Sequence, residues 1–415
     1  MIKRFFIVAT LFLSISGTYA QEGSPSPYSF FGIGTFQFNG TVENRSMGGI
    51  GVYSDSIHVN LQNPAAYGGL KLTTYTIGGS HKSLVLKSDE GKDKISNSTL
   101  LNYLAIGIPA GKWGFGIGLV PYTSVGYALV EKNEDLNSSY SGSGGVNRLF
   151  LAAGYQFNEH FKIGAEVNYN FGNIQNKSIF FQDFVQFGTR EINRSDFSGF
   201  NFNFGAHYQT MLNENLQLTG SANFSPSSEI SSENSRQLAL LQLRTDGSTI
   251  AADVREVEVP ESTLKIPTQF SIGAGLGKPN KWFAGLEYGR TDALKFSNRS
   301  YSISEVKFEP ATSMALGGFY VPEYNDITNY FNRIVYRAGI RYQETGLNLR
   351  NQDINEFGIS FGVGLPVGRM LSNLNLGFEF GQRGTTEANL VKENFYNFFI
   401  SLSLNDLWFQ KTKYN

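Results

Sequence analysis

The stretch that decides the fold runs from Phe161 to Gly172 and reads FKIGAEVNYNFG. Apolar side chains stand at every odd position, and lysine, glutamate, asparagine or glycine stands at every even position. Successive side chains of a β-strand point to opposite faces of its sheet. The stretch therefore predicts a strand with one apolar face and one polar face.

The same alternation recurs along the chain from Leu72 onward. Further examples are Phe200–Tyr208, Leu374–Phe380 and Tyr396–Leu404. Such segments are about ten residues or longer, which a tilted strand needs to cross a bilayer. Soluble antiparallel sheets alternate too, but here the polar rows are mostly Asn, Gln, Ser, Thr and Gly, which suits a wet or plugged lumen.

The apolar rows end in aromatic residues, as the interfacial girdles of membrane barrels do. These residues are Trp113, Tyr155, Phe157, Trp282, Tyr288, Trp408 and Phe409. A sheet in lipid has to close, because an open edge leaves its hydrogen bonds unsatisfied. The sequence therefore predicts an all-β fold, a transmembrane antiparallel β-barrel formed by residues 71–415.

Short and long connections alternate between the predicted strands, as in outer-membrane barrels with short periplasmic turns and long external loops. The short turns are Pro109–Gly114, Asn158–Phe161, Leu212–Asn215, Lys278–Lys281 and Pro366–Asn373, with Val321–Asn332 as a longer insertion on the same side. The long loops are Lys87–Ser98, Lys132–Gly145, Gly172–Ser195, Pro226–Ser262, Gly289–Glu309, Gln343–Ile354 and Gln382–Asn394. Counting the segments between them predicts about fourteen strands with both ends in the periplasm.

Residues 1–20 have the features of a secretory signal peptide. Lys3 and Arg4 precede an apolar run from Phe5 to Ile15, and Thr18-Tyr19-Ala20 matches a small-x-small cleavage site. The run is too short to span a bilayer as a helix. The chain has no cysteine, which excludes a lipid anchor after the cleavage site, disulfides and thiolate metal sites.

Residues 21–70 do not alternate, and they hold an aromatic cluster of Tyr28, Phe30, Phe31, Phe36 and Phe38. A barrel of about fourteen strands encloses a wide lumen. We therefore predict that this segment is a compact plug, or hatch. A disordered periplasmic leader is the alternative, against which the aromatic density argues.

No feature of the sequence indicates catalysis, a metal site or a cofactor. The formal net charge is -1, so the chain offers no basic surface for nucleic acid. The four histidines His58, His81, His160 and His207 lack ligand spacing. The run Gly273–Lys278 lacks the Ser or Thr and the helix of a phosphate-binding loop, so we interpret it as glycines on the lumen face of a strand.

Several motifs resemble the FadL/TodX family of outer-membrane transporters. Ser46-Met47-Gly48-Gly49, Asp55 and Asn60–Tyr67 resemble that family's hatch, whose Asn-Pro-Ala signature is Asn63-Pro64-Ala65 here. The family's third strand is similar to Phe115–Tyr122. Its mid-barrel strand is similar to Lys265-Ile266-Pro267 with Ser271-Ile272-Gly273. The C-terminal ends of Bacteroidetes members are similar to Asn405–Phe409. The resemblance spans almost all of the mature chain. It implies a fourteen-stranded barrel with a hatch in the outer membrane of a Gram-negative bacterium, and passive uptake of hydrophobic, fatty-acid-like molecules.

The resemblance also implies where a ligand would bind and leave. In that family the ligand leaves sideways through a kink in the third strand, and Pro121 is the matching residue; alternatively, Pro121 begins an external segment. Hatch aromatics Phe30, Phe31 and Phe36 are expected to contact the ligand. So are Phe180, Phe181 and Phe184 after the fifth strand, unless these fold inward to cap the barrel.

The predicted lumen rows carry charges that favour a different role. These residues are Glu166, Glu287, Arg337, Arg341, Glu379 and Arg383, which we expect to form ion pairs between wall and hatch. Some FadL-like barrels, such as PorV, serve type IX protein secretion as accessory subunits. The predicted partners are therefore membrane lipid and either a hydrophobic ligand or another outer-membrane protein. A general porin is less favoured, because the hatch would block free diffusion.

Overall fold

A computed structural model describes residues 26–89, 91, 93–132, 136–244, 249–293, 306–367 and 371–408 of the chain. The predicted signal peptide lies outside the described residues. Within these ranges, no helix has the length and hydropathy needed to cross a membrane.

Strands make up most of the described chain. The first half contains β1 (Thr35–Phe36), β2 (Thr73–Lys87), β3 (Lys94–Ala110), β4 (Trp113–Pro121), β5 (Thr123–Lys132), β6 (Leu136–Gln156), β7 (Phe161–Gln182), β8 (Phe187–Asn213), β9 (Leu216–Ser225) and β10 (Ser228–Leu243). The second half contains β11 (Thr249–Glu258), β12 (Ser262–Ile266), β13 (Gln269–Lys278), β14 (Trp282–Thr291), β15 (Val306–Phe308), β16 (Ala311–Tyr320), β17 (Val335–Leu349), β18 (Gln352–Pro366), β19 (Asn373–Arg383) and β20 (Lys392–Asp406).

Strands β2–β20 form one closed antiparallel barrel. Strand β2 pairs with β3 on one side and with the last strand, β20, on the other, which closes the ladder. Four barrel strands are interrupted and consist of β4 with β5, β9 with β10, β11–β13, and β15 with β16. Counted in this way the barrel has fourteen strands, and the predicted fold is confirmed.

The barrel strands expose their apolar side chains and bury their polar ones, the reverse of the arrangement in a soluble protein. On β7, the apolar Phe161, Ile163 and Val167 are exposed, whereas Glu166 and Asn168 are buried in the lumen. An aromatic girdle runs along one rim, where Trp113 and Tyr155 lie 4.7 Å apart and Tyr155 and Phe157 5.0 Å apart between ring centroids. An apolar outer band with aromatic rims is the surface that a barrel presents to lipid.

The predicted long loops are wrong in extent. Most of Gly172–Ser195 is strand, because β7 continues to Gln182 and β8 begins at Phe187. The 27-residue β8 and its neighbours extend as paired strands beyond the apolar band. The connection between β16 and β17 is longer than the other turns on its side, as predicted, and contains a 3-10 turn at Tyr330–Arg333.

The chain from Ser26 to Leu72, here called the inner segment, packs against the lumen face of the wall. It contains a 3-10 turn (Pro27–Phe30), β1, helix α1 (Val42–Arg45) and a second 3-10 turn (Pro64–Gly69). The helix has a capping box, in which the Thr41 hydroxyl accepts from the Asn44 N–H. A further 3-10 turn, Glu387–Asn389, lies between β19 and β20.

Wall glycines bring the inner segment close to the barrel. A Cβ atom added at Gly205 would lie 2.1 Å from Asn63 Oδ1, and one at Gly164 would lie 2.4 Å from the Pro64 carbonyl oxygen. On the opposite side of the barrel, a Cβ at Gly317 would lie 2.0 Å from the Met47 carbonyl oxygen. Larger residues at these wall positions would therefore clash with the Pro64–Gly69 turn and with the chain after helix α1.

Candidate functional site

The Asn-Pro-Ala signature anchors the inner segment to the wall. Asn63 Oδ1 accepts a hydrogen bond from Ala65 N at 2.9 Å, which caps the 3-10 turn that Pro64 begins. Asn63 Nδ2 donates to the Ala206 carbonyl oxygen on β8 at 3.0 Å. One amide thus fixes both the local turn and its position against the barrel.

A cavity of about 410 Å³, here called the central cavity, lies between the inner segment and the wall. Phe31, Phe36 and Phe38 line it from the inner segment, and Phe395 and Phe399 line it from β20. Two of the three predicted inner aromatics, Phe31 and Phe36, are therefore at this site. Phe30 instead packs against Tyr127, with ring centroids 5.1 Å apart.

The barrel wall has an interruption beside this cavity. Strand β3 pairs with β2 from Lys94 to Gly107 but with β4 only from Leu104 to Ala110. Strand β5 pairs with β6 and with β1. Within the described residues, no strand ladder joins the edge of β3 from Lys94 to Tyr103 to β5. We call the space between this edge and β5 the wall gap.

The wall gap begins where Pro121 ends β4. Proline has no N–H to donate to a ladder, and Tyr122, which follows it, lies outside both strands and donates its N–H to the Val146 carbonyl oxygen at 2.8 Å. The strand therefore breaks at the position where the sequence analysis placed a kink. From there β5 follows β6 and leaves β3.

Strand β1 of the inner segment lies in part of the wall gap. Thr35 pairs with Ser124 and Phe36 pairs with Thr123. The Phe36 ring packs edge-on against Tyr122, and Phe36 is 44% exposed. Leu100, on the part of β3 that faces the gap, lines the central cavity together with Thr35 and Phe36, so the cavity extends from the lumen to the gap.

The strands next to the gap bend at the same level. Gly144 on β6 and Gly172 on β7 have φ values of +108° and +145°, which favour glycine. Beyond this level the lumen face becomes apolar and packs over Ile33 of the inner segment. This apolar roof consists of Tyr122, Val125, Tyr127, Val146, Ile174, Phe197, Ile230, Leu264 and Ile266.

Charged side chains form a second wall of the central cavity. Arg45 of helix α1 contacts Glu379 on β19 at 2.8 Å, and Arg341 on β17 contacts the same carboxylate at 2.8 Å. Glu356 on β18 lies between Arg341 and Arg383 and pairs with both. Only the Arg45–Glu379 pair joins the inner segment to the wall, as predicted for Glu379. Arg341 and Arg383 form ion pairs too, but with carboxylates of neighbouring wall strands and not with the inner segment, so the prediction was wrong for their partners.

The other three predicted lumen charges bind neutral groups instead. Glu287 accepts from Gly51 N at 2.7 Å, Glu166 accepts from Asn168 Nδ2 at 3.0 Å, and Arg337 donates to Asn375 Oδ1 at 3.0 Å. The expectation of ion pairs was wrong for these residues. A residue type alone does not show whether the facing segment presents a charge, an amide or a backbone N–H.

The external aromatics of the prediction do not reach the central cavity. Phe180 lies on β7 and packs against Tyr140 at 5.8 Å between ring centroids. Phe181 also lies on β7, beside Gly188. Phe184 stands at the tip of the β7–β8 hairpin with its side chain fully exposed. The three residues therefore belong to an external hairpin.

A second cavity of about 420 Å³ lies at the other end of the inner segment, toward the β16–β17 connection. Asp55 and His58 meet there, with Oδ2 and Nδ1 2.7 Å apart. Although burial opposes both charged forms, the carboxylate raises the pKa of His58 above its usual value. The imidazole and the backbone N–H groups of Ile57 and His58 lower the pKa of Asp55 despite its burial.

Comparison with known proteins identifies the family. The family model of BamG matches residues 1–415 of this chain. The chain belongs to the BamG family. No curated protein sequence matches it significantly.

Solved structures show that the BamG-family chain has the fold of the FadL/TodX barrels, as the resemblance implied. It aligns with the toluene transporter TodX of P. putida at 15% identity and a TM-score of 0.58, over 89% of this chain and 99% of that chain. It aligns with the toluene transporter TbuX of Ralstonia pickettii at 13% identity and a TM-score of 0.58, over 89% of this chain and 100% of that chain. It aligns with a Pseudomonas aeruginosa FadL homologue at 11% identity and a TM-score of 0.58, over 90% of this chain and 98% of that chain. With its closed ladder and apolar outer band, the chain is an outer-membrane barrel of a Gram-negative bacterium.

Sequence reasoning missed six aromatics that line the central cavity in this BamG-family member, namely Tyr28, Phe38, Phe308, Tyr342, Phe395 and Phe399. Phe38 was noted in the cluster but not assigned to the site. Phe395 and Phe399 stand in the lumen row of β20, between Glu393, Asn397 and Ser401. Aromatic residues that interrupt a polar lumen row are the signal that would have identified them.

Proposed function

We propose that this barrel is a passive transporter that moves hydrophobic small molecules from outside the cell, through the central cavity and out through the wall gap into the membrane. The observation that carries the proposal is the continuity of an aromatic-lined cavity with a break in the barrel wall. The solved barrels of similar fold include two named as toluene transporters. In this proposal, the inner segment, which covers most of predicted residues 21–70, is the hatch that closes the lumen.

The route through the protein follows from the polarity of the lining. An apolar molecule gains roughly 25 cal/mol for each Å² of surface that leaves water. This free energy is gained at the phenylalanines of the central cavity and again among the lipid chains at the gap. The charged wall of the cavity gives no such gain to an apolar molecule. Phe36, which contacts both the cavity and the gap, is the residue that a molecule leaving sideways would displace.

A disulfide across the β1–β5 contact tests the proposal. Thr35 and Ser124 are paired residues, and the chain has no cysteine of its own, so Thr35→Cys with Ser124→Cys creates a single possible bond. The measurement is uptake of a radiolabelled aromatic hydrocarbon by a Gram-negative host without transporters of its own. We expect the wild type to raise uptake above the empty host, the oxidised variant to lose most of that gain, and a reductant to restore it.

The two single-cysteine variants are the matched controls, and both should transport normally with or without oxidant. A wild-type barrel that inserts correctly but adds nothing to uptake contradicts the transport function. A locked barrel that transports as fast as the reduced one contradicts movement of β1 at the wall gap.

A second candidate, an accessory or interaction role in a larger outer-membrane assembly such as a secretion complex, is supported by exposed apolar side chains. Phe184 at the tip of the β7–β8 hairpin is fully exposed, and Ile327 in the β16–β17 connection is 93% exposed. Val185, next to Phe184, is also 53% exposed, and contiguous exposed apolar groups mark interaction sites. A photo-crosslinking amino acid at position 184 or 327, with Asn137 as an exposed control position, would capture a stoichiometric protein partner if this role is correct.

A further inference from the structure

A smaller cavity of about 230 Å³, here called the polar cavity, adjoins the central cavity. The two share lining residues, including Asn39, Gln62 and Gln343. The two cavities therefore lie side by side, one with aromatic residues in its lining and one with a mainly polar lining. A bare hydrocarbon would fill only the first of them.

The lining of the polar cavity is dominated by uncharged hydrogen-bonding side chains. Amides and hydroxyls reach it from five wall strands, represented by Asn203, Asn223, Gln269, Ser313 and Gln343. Groups of this kind bind hydroxyl- and amide-bearing molecules, because each can donate and accept hydrogen bonds. They offer no fixed charge to a carboxylate.

The charged side chains at the polar cavity already have other roles. Arg148 donates to Asn170 Oδ1 at 3.2 Å and stacks on the Tyr122 ring at 4.1 Å. Glu287 accepts from Gly51 N. The third, Arg290, is exposed at the end of β14. An anionic head group in this cavity would therefore lie beside the Glu287 carboxylate, while Arg148 already binds Asn170 and Tyr122.

Among the described residues, two amide oxygens beside the polar cavity lack a donor. Asn223 donates to Ser271 Oγ at 3.1 Å and Gln62 donates to the Gly49 carbonyl oxygen at 2.9 Å, but the Oδ1 and Oε1 atoms of the same amides are buried without a hydrogen-bond partner. Buried acceptors without a donor are costly. Both oxygens are shielded from the cavity, so the two amides would have to rotate before a ligand hydroxyl or N–H could donate to them, and a carboxylate has no hydrogen to donate.

We propose that the natural ligand is a neutral amphiphile, with an apolar part against the phenylalanines of the central cavity and an uncharged, hydroxyl- or amide-rich head in the polar cavity. This inference rests on the proposed transport function, because it specifies the ligand class of the same site. It distinguishes such a ligand from both a simple hydrocarbon and a fatty acid.

Three probes with the same eight-carbon chain test the inference. Octyl β-D-glucoside carries a neutral polyhydroxyl head, octanoate carries an anion, and octane carries no head. Binding is measured by equilibrium dialysis to the full barrel in lipid nanodiscs, below the concentration at which micelles form, with empty nanodiscs subtracted. We expect the glucoside to bind about tenfold or more tightly than either other probe.

Substitutions in the polar cavity separate head from chain recognition. Asn223→Leu and Gln343→Leu should each weaken glucoside binding about tenfold, the effect of losing one well-formed hydrogen bond, and leave octane binding unchanged. Asn137→Leu makes the same change at an exposed external position and should bind all three probes like the wild type.

The outcomes distinguish this inference from the transport function. If octane or octanoate binds and the glucoside binds no better, the ligand class is wrong while transport survives. If Asn223→Leu weakens all three probes equally, the polar cavity does not recognise a head group and the inference is overturned. If no probe binds the wild-type barrel, both proposals are overturned together.

Discussion

The Phe36 ring of the inner segment meets the Tyr122 ring of the wall edge-on, with centroids 5.3 Å apart. Tyr122 stands between β4 and β5, where β5 leaves β3. Phe36 lines the central cavity and is also 44% exposed. A single aromatic contact therefore lies between the cavity and the opening in the wall.

Shortening Phe36 should open this path. We expect Phe36→Ala to increase the initial rate of hydrocarbon uptake roughly threefold, because gating side chains often limit passage. Phe36→Leu keeps most of the volume and is the matched control, with uptake near the wild-type rate. An alanine variant that inserts normally and transports at the wild-type rate would show that Phe36 does not limit exit.

The fit between Asn63 and Gly205 should not tolerate a methyl group. A Cβ at position 205 would lie 2.1 Å from Asn63 Oδ1, so Gly205→Ala should displace the 3-10 turn Pro64–Gly69. Forced overpacking of this kind costs about 1–3 kcal/mol. We expect a lower midpoint in urea unfolding and greater sensitivity of cells to large antibiotics that the barrel normally excludes.

Gly220→Ala is the control for this prediction. It places the same methyl group on a wall strand, but its nearest atom, the Gly273 carbonyl oxygen, would be 3.9 Å away. It should leave both readouts unchanged. Equal effects of the two substitutions would mean that the loss arises from strand glycines in general and not from the docking of the inner segment.

The barrel could be predicted from the sequence because the bilayer and the lumen impose opposite polarities on alternate residues. In β7 from Phe161 to Phe171, every apolar residue faces outward and every polar one faces inward. The period of two arises because one face of each strand contacts lipid and the other faces the polar lumen. The strand count followed from the turns between such segments.

The external extensions could not be predicted because the polarity changes there while the backbone continues. Beyond Gly172 the lumen face of β7 carries Ile174, which is buried in the apolar roof, and the outer face meets water. After Ile174 the chain has four polar residues, Gln175–Ser178, and then three consecutive apolar residues, Ile179, Phe180 and Phe181, so the alternation ends. The loss of the period is typical of an irregular loop, although the ladder with β6 and β8 is continuous.

The site was predicted only where it depends on local sequence. The aromatic density around Phe31 and Phe36 and the break after Pro121 are visible in the chain itself. The contributions of Phe395 and Phe399 depend on where the inner segment docks, more than 300 residues away in sequence. That position is set by wall glycines, whose role is apparent only once the two surfaces are together.

The Asp55–His58 pair predicts a pH dependence of the inner segment. The raised pKa of His58 means that its stabilising contribution is complete below its ordinary pKa of 6.5 and is lost as the pH rises through the higher folded value. The lowered pKa of Asp55 means that its contribution is complete above 3.8 and is lost only in stronger acid. The pair therefore stabilises most between these two ordinary values.

We expect protection of the Ile57 amide from hydrogen exchange to decrease as the pH rises above 6.5, after correction for the intrinsic exchange rate. Asp55→Asn should remove this dependence, whereas His160→Gln, on an exposed turn, should keep it. A wild-type profile that matches the Asp55→Asn profile from pH 5 to 8 would exclude coupling through this pair.

The contact between Arg45 and Glu379 should contribute through both charge and stacking. Arg45 bonds the buried Glu379 carboxylate at 2.8 Å, and its guanidinium lies 4.7 Å from the Phe38 ring centroid. Removing it leaves Glu379 with Arg341 and Asn397, so the loss is smaller than for an isolated buried charge. We expect Arg45→Met to lower the free energy of unfolding by about 1–3 kcal/mol, the cost of one charged hydrogen bond.

Arg45→Lys separates the two contributions, because lysine retains the positive charge but not the planar group that stacks on Phe38. It should recover part of the stability lost in Arg45→Met, measured by urea unfolding of the barrel in detergent. A cycle that combines Arg45→Met with Glu379→Gln should give a coupling energy of about 1 kcal/mol or more. Strict additivity of the two changes would show that Arg45 holds the inner segment through Phe38 alone, and Phe38→Leu would then reproduce the whole loss.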